Sequence, residues 1–126
     1  MAEVLYATVG ADFQEPLALT DRAGTPTDLT GADLKWLAKG RIDDPDVDAV
    51  LTATSGGGTI VVDAPPTAGQ LHFAIPAAAT AALDPTRRYV WTLEVESAGV
   101  VTRYPDGFQR GPGVLYVTPS AIIAQP

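Results

Sequence analysis

Residues 87–97, with the sequence RRYVWTLEVES, constrain the fold more than any other stretch of this chain. Large apolar side chains alternate there with mostly polar ones, and a period of two is typical of a half-buried β-strand. A helix would spread these apolar side chains around its surface, because residues two apart in the sequence point in different directions on a helix. A strand with a wholly apolar face needs a second sheet to cover it, which predicts a sandwich or a closed barrel. The apolar face consists of Tyr89, Trp91, Leu93 and Val95.

The rest of the chain also has the character of short strands, separated by turns that contain most of the 12 glycines and 11 prolines. Residues 77–83 are the exception, since a proline followed by alanines indicates a brief helical turn. Seven to nine strands at even spacing, with that one turn, predict an all-β, immunoglobulin-like β-sandwich. We expect a single domain over residues 1–119, followed by a tail at 120–126.

Two stretches carry more detailed predictions. Residues 32–41 alternate as a strand, with Trp36 inward and Lys39 outward, and an amphipathic helix is the alternative for them. Tyr89 follows a turn at residues 83–86, which resembles the tyrosine corner of immunoglobulin-like sandwiches, where the hydroxyl bonds back to the chain a few residues upstream.

Composition excludes several classes of protein. The chain of 126 residues has no cysteine, so it forms no disulfide, thiolate metal site or thiol nucleophile. Its net charge is −7 and its eight basic residues are scattered, whereas nucleic-acid binding needs a basic stripe. An anionic membrane surface is disfavoured for the same reason, and neither a transmembrane helix nor a signal peptide is visible. We therefore expect synthesis in the cytoplasm and no contact with nucleic acid or membrane.

The candidate catalytic and metal-binding residues favour structural interpretations. An acidic cluster at residues 43–48 resembles the opening of a calcium loop. Ala49 and Ser55 stand where such a loop has glycine and glutamate, so a solvated loop is the better interpretation. The only histidine, His72, lacks an obvious nucleophile and acid beside it. We expect no enzyme activity, no cofactor and no metal. The acidic cluster consists of Asp43, Asp44, Asp46 and Asp48. Two weaker candidates are Glu94 with Glu96, as a pair of glycosidase carboxylates, and the 55–58 turn SGGG, as a phosphate loop.

Five apolar side chains are predicted to contact partner proteins. Three are aromatic residues in the Gly/Pro-rich return near the C-terminus, where a role in the core is weakest. Two are isoleucines in the tail, whose apolar segment at 121–124 is expected to dock on another chain, for example by strand addition. These residues are Tyr104, Phe108, Tyr116, Ile122 and Ile123.

The order of motifs along nearly the entire chain resembles that of a known group of proteins. The motifs are DLTGA at 28–32, the helical turn ahead of the aromatic strand, and the closing VTP at 117–119. Together they resemble the small immunoglobulin-like structural proteins of tailed bacteriophages, and are similar to the N-terminal domain of baseplate upper proteins. That group usually has a glycine just before the strand tyrosine, where this chain has Arg87 and Arg88.

The resemblance implies a non-enzymatic component of the virion, synthesised in the bacterial host cytoplasm. Such a component binds other virion proteins and repeats as a homo-oligomer or symmetric assembly. The expected role is that of a tail, baseplate or fibre-attachment adaptor, and the first alternative is a capsid decoration or head-tail joining protein. A carbohydrate- or cell-surface-binding sandwich is a further alternative. It would need a row of exposed aromatic side chains on one sheet face, and none is expected before Tyr104.

Overall fold

The computed structural model describes residues 4–20, 24–41, 45, 48–97, 99–104 and 113–118. These residues form nine β-strands, a short helix α1 (Ala77–Thr80) and a 3-10 turn at Pro66–Ala68. The fold is therefore all-β, as the alternation of apolar residues predicts. The strands are β1 (Val4–Thr8), β2 (Pro16–Ala18), β3 (Asp33–Lys39), β4 (Leu51–Thr54), β5 (Ile60–Val62), β6 (Gln70–Phe73), β7 (Arg88–Ser97), β8 (Val100–Tyr104) and β9 (Gly113–Thr118).

The strands form two sheets. The larger sheet has the order β1-β9-β7-β3-β4, with β8 also paired to β7, and the smaller sheet has the order β2-β6-β5. β1 runs parallel to β9, and the other pairs are antiparallel. In an immunoglobulin-like sandwich of the variable type, the sheet G-F-C-C′ faces the sheet B-E-D. The same order appears here, with β9-β7-β3-β4 facing β2-β6-β5, which confirms the predicted fold class.

An aromatic cluster fills the space between the sheets. Trp36 on β3 and Phe73 on β6 belong to opposite sheets, and their ring centroids are 4.9 Å apart. Phe13 lies 5.1 Å from Phe73, and Trp91 on β7 lies 6.4 Å from Trp36. Aromatic pairs at such distances contribute about 0.5–1.5 kcal/mol each beyond the area they bury. The cluster therefore joins the two sheets at the centre of the core.

The predicted tyrosine corner is present at the start of β7. Tyr89 is buried, and its hydroxyl oxygen accepts a hydrogen bond from the backbone N–H of Asp84 at 3.1 Å. The carboxylate of Asp84 accepts two further hydrogen bonds, from the hydroxyl of Thr86 at 2.6 Å and from its N–H at 2.9 Å. These contacts fix the turn that brings the chain into its longest strand.

β8 and β9 are two halves of one strand beside β7. Tyr104 at the end of β8 is opposite Leu93, and Gly113 at the start of β9 is opposite Trp91. Only the position opposite Thr92 separates the two halves, although eight residues, 105–112, connect them in the sequence. The return strand of the sheet is therefore interrupted by an insertion at one defined position.

The outer face of β3 differs from the predicted pattern. Leu34, Trp36 and Ala38 face the core as predicted, but Leu37 and Lys39 on the other face are also buried. Lys39 is on the outer face, as the alternation predicts, but it is buried there, which the sequence pattern did not indicate. Lys39 lies opposite Val90 in the middle of the large sheet, and its aliphatic stem allows it to be accommodated there.

The helical turn is present but is shorter than residues 77–83, because α1 ends at Thr80. Its N-cap residue, Pro76, provides no side-chain hydrogen bond. A distant carboxylate supplies one instead, since the N–H of Ala77 donates to Oδ1 of Asp12 at 2.8 Å. Within the described ranges, no helix is long and apolar enough to cross a membrane.

Candidate interaction surface

Two tyrosines lie side by side on the outer face of the large sheet. Tyr6 on β1 is opposite Tyr116 on β9, and their rings stack with centroids 5.7 Å apart. Their exposed fractions are 56% for Tyr6 and 38% for Tyr116. The structure thus places one predicted contact residue, Tyr116, at the surface and pairs it with a tyrosine that was not predicted to contact a partner.

Apolar residues continue this surface along the sheet. Val4 is opposite Val114, and Val114 is opposite Val90 on the next strand. Each of these valines follows the alternation of its strand and faces away from the core. Together with the two tyrosines they form a continuous surface across three strands, which we call the tyrosine patch. Its members are Val4, Tyr6, Val90, Val114 and Tyr116.

The alternation in β1 could have revealed Tyr6. Leu5 and Ala7 are the buried residues of that strand, which leaves Val4 and Tyr6 on the outer face. The neighbour of Tyr6 could not have been found in this way. Parallel pairing of the first and last strands brings together residues that are far apart in the sequence, and no local pattern encodes it.

The opposite end of the same face is charged. Glu94 lies between Lys35 on β3 and Arg103 on β8, and its Oε2 accepts a hydrogen bond from Nε of Arg103 at 3.1 Å. Asp33 is directly opposite Glu96, and such a like-charge pair is unfavourable in a sheet. A shallow groove of about 320 Å³ runs over these side chains.

The charged side chains of this groove interact with one another across neighbouring strands. Glu94 forms an ion pair with Arg103, with 3.1 Å between its Oε2 and the Nε of the arginine. Among the residues that the structure describes, no group of histidine and carboxylate side chains could hold a metal ion. The groove is a solvated charged surface beside the tyrosine patch.

Tyr104 is better integrated into the fold than its sequence context suggests. It packs against the core, and its hydroxyl lies 2.8 Å from Oγ1 of Thr27. Tyr104 therefore contacts the core even though it lies in the Gly/Pro-rich return. Its contact with a partner stays a prediction, as do those of Phe108, Ile122 and Ile123, which lie outside the described residues.

The remaining sequence candidates are the acidic cluster and His72. Within the acidic cluster, Asp43, Asp44 and Asp46 lie outside the described residues, whereas Asp48 is exposed. His72 is half-exposed on the small sheet, and its Nδ1 lies 2.8 Å from Oδ1 of Asp63. No local sequence pattern predicts this carboxylate beside His72. Asp63 follows β5, and the antiparallel pairing of β5 with β6 brings it next to His72.

Comparisons with known proteins leave the chain without an assigned family. No family model and no curated protein matches the sequence. Among solved structures, extracellular domains 3–5 of OTK from Drosophila are similar over 91% of this chain, at 12% identity and a TM-score of 0.31. This chain spans about 33% of that structure. So weak a likeness supports no statement about fold or role, and the immunoglobulin-like assignment is based on the strand order and the tyrosine corner.

Proposed function

We propose that this chain is a non-enzymatic structural component of a tailed-phage virion, where it acts as a tail, baseplate or fibre-attachment adaptor. The motif order supports this role through its similarity to small phage structural proteins. One observation carries the proposal: the tyrosine patch exposes large apolar side chains on one sheet face of a chain whose net charge is −7. Exposed apolar surfaces of this kind mark contacts with other proteins.

The position of the patch suits an adaptor. It lies on three neighbouring strands, β1, β9 and β7, which provide a rigid surface rather than a loop. The stacked rings of Tyr6 and Tyr116 offer a large contact area at a low cost in side-chain entropy, which is why tyrosine is common in interfaces. The charged groove beside the patch would form the polar rim of such an interface.

Immunogold electron microscopy of phage particles from a producing culture tests the role, with an antibody against this chain. Label at the tail tip is the expected result. Label over the head would replace the adaptor role with capsid decoration or head-tail joining. Unlabelled particles, together with soluble protein in the lysate, would contradict a virion role. Particles of a phage that lacks the gene provide the control for antibody specificity.

A matched pair of variants tests the patch itself. Val4 in the patch and Val61 on the small sheet have similar exposed fractions, 41% and 39%. We expect Val4→Ser to lower incorporation into particles, and Val4→Ser combined with Tyr6→Ser to lower it at least tenfold. Val61→Ser should leave incorporation unchanged. Equal incorporation of all variants would show that assembly does not use the patch.

Carbohydrate or cell-surface binding is the second candidate, and the pair of exposed tyrosines favours it, because aromatic side chains on a sheet face bind sugar rings. A glycan array with the purified protein provides the test. Binding that is lost in Tyr116→Ala and kept in Tyr104→Phe would support this function over the adaptor role. Tyr104→Phe is the suitable control, since it removes only a hydroxyl that contacts Thr27.

A further inference from the structure

β8 is an edge strand that no described strand covers on its outer side. It pairs with β7 along one edge, whereas the described residues of β1, which covers β9, lie alongside residues 114–118. Val100 and Val101 of β8 are 64% and 50% exposed and lie on opposite faces of the strand. Among the described residues, the edge therefore combines backbone groups without a strand partner and exposed apolar side chains on both faces.

The register identifies which backbone groups are free. Ser97 is paired with Val100, so a loop of two residues connects β7 to β8. Such a loop is closed by a hydrogen-bonded pair, and hydrogen-bonded and non-bonded pairs then alternate along the hairpin. Val100, Thr102 and Tyr104 consequently bond to β7. The N–H and C=O groups of Val101 and Arg103 point to the free edge.

The C-terminal tail has the composition of a strand that could fill this edge. No charged side chain occurs between Gly111 and Pro126, although the chain carries 23 charged residues in total, 8 basic and 15 acidic. In an extended conformation, Ile122 and Ile123 would point to opposite faces. One isoleucine would then lie on the face of Val100 and the other on the face of Val101.

The tail cannot reach this edge within its own molecule. Tyr116 is opposite Arg88 and Tyr104 is opposite Leu93, so β9 leads away from β8. Thr118 lies about 24 Å from the level of Tyr104 along the sheet, whereas the five residues from Thr118 to Ile123 span at most about 18 Å. The donor must come from another molecule.

We propose that residues 120–125 of a second copy of this chain add as a β-strand to the free edge of β8. The proposal deepens the assembly role proposed above and depends on it for its biological meaning. Because donor and acceptor are different surfaces, the contact is heterologous and links copies head to tail, giving a ring if it closes and a filament if it does not. The mode is β-strand addition, in which backbone hydrogen bonds supply affinity and side-chain pockets supply register.

A peptide-binding experiment tests this inference on the chain that lacks residues 120–126. A synthetic peptide of residues 119–126 is titrated into it, and the Kd is measured by fluorescence anisotropy. Val101→Pro removes one outward N–H and leaves the bonds to β7 in place, as edge strands tolerate. We expect it to weaken binding at least tenfold, whereas the control Val101→Ala, which keeps the N–H, should change the Kd less than threefold.

Two further measurements keep the test decisive if Val101→Pro does not fold. N-methylation of the peptide at Ile122 or Ile123 removes one donor, and only one of the two modified peptides should lose affinity. Hydrogen exchange should show that the peptide protects the amides of Val101 and Arg103, while the amide of Thr102 is protected without it. Absence of peptide binding, or equal binding by the proline variant, would overturn the proposal.

Sedimentation of the full chain separates the tail from other occupants of the edge. We expect self-association that is lost on deletion of residues 120–126. Self-association that is sensitive to Val101→Pro but insensitive to the deletion would show that β8 of the second copy, and not its tail, pairs with this edge. That result would overturn the proposal. Gold label on particles combined with a tail peptide that does not bind would leave the virion role standing and refute only this contact.

Discussion

Among the described glycines, Gly113 makes the closest approach to a core side chain. It is buried at the start of β9, and a Cβ atom at this position would overlap the indole ring of Trp91. Trp91 is itself buried, in the aromatic cluster. We expect Gly113→Ala to lower the free energy of unfolding by about 1–3 kcal/mol, the usual cost of overpacking a core. Urea denaturation followed by tryptophan fluorescence measures it.

Gly56→Ala is the control for this prediction. A Cβ atom at Gly56 would meet nothing within 4 Å, and the residue is exposed. Its substitution should change stability by less than about 0.5 kcal/mol. If both alanine variants unfold at the same urea concentration, the close approach of Gly113 to Trp91 does not limit the packing.

The hydroxyl of Tyr89 makes a contact that can be removed without disturbing the core. Tyr89→Phe keeps the ring and leaves the N–H of Asp84 without its acceptor. We expect a loss of about 0.5–1.5 kcal/mol in the free energy of unfolding. Tyr6→Phe removes a hydroxyl from an exposed ring and should be close to neutral. Equal midpoints in thermal unfolding for the two variants would argue against a stabilising tyrosine corner.

Asp84 should make stability depend on pH. Hydrogen bonds from the hydroxyl and then the N–H of Thr86 hold the pKa of this carboxyl below its usual value of 3.8. A pKa that is lower in the folded state than in the unfolded state stabilises the fold above pH 3.8. That stabilisation is lost as the pH falls through the folded-state value. Asp28, which bonds Thr30 in the same way, has its pKa lowered for the same reason.

Comparison with Asp84→Asn isolates this contribution, because all other groups titrate alike in both proteins. We expect the wild-type chain to have the higher urea midpoint at pH 7 and the two midpoints to converge as the pH falls below 3.8. A difference that is unchanged between these pH values would mean that the charge of Asp84 does not matter.

At the scale of the element, α1 shows how a short helix is held by a distant residue. Four residues are too few for a stable isolated helix, and Pro76 does not cap it. Asp12→Ala removes the acceptor of the Ala77 N–H, and we expect a loss of about 0.5–2 kcal/mol in the free energy of unfolding. Asp12→Asn, which keeps the side-chain oxygen, should recover much of this loss. Calorimetry that finds Asp12→Ala as stable as the parent would contradict the capping role.

The elements themselves were largely predictable, whereas their partners were not. β7 was found because Tyr89, Trp91, Leu93 and Val95 repeat with a period that only a strand produces. Asp12 as the cap of α1 and Asp63 as the neighbour of His72 could not be found in the same way. Those contacts arise from how distant segments pack, and a single sequence without its fold does not contain that information in any local pattern.

The candidate surface follows the same division. Tyr116 was predicted from its position near the C-terminus, and the alternation of β1 contains the signal for Tyr6. The stacking of Tyr6 on Tyr116 depends on the parallel pairing of β1 with β9. The free edge of β8 depends on where β1 begins, since Val4 pairs with Val114. Both are properties of sheet topology, which local propensity does not determine.

At the scale of the whole molecule, the interrupted strand formed by β8 and β9 is the most informative feature. Its two halves lie in register along one edge of β7, with the position opposite Thr92 between them. A single residue in place of 105–112 would therefore make the strand continuous. We expect a chain with one threonine at this point to keep the fold and to unfold at a temperature no lower than that of the parent, since a shorter connection costs less closure entropy.

The length of the replacement makes the prediction sharp. Side chains alternate between the faces of a strand, so two residues instead of one would turn Leu115 and Val117 out of the core and the outer residues inward. Leu115 and Val117 are both buried in the parent chain. We expect the two-residue replacement to lower the melting temperature by more than about 10 °C relative to the one-residue replacement, because losing several kcal/mol of burial shifts a domain of this size by that much. Circular dichroism at matched concentrations measures both. Equal melting temperatures would mean that the two half-strands are not held in a common register by β7.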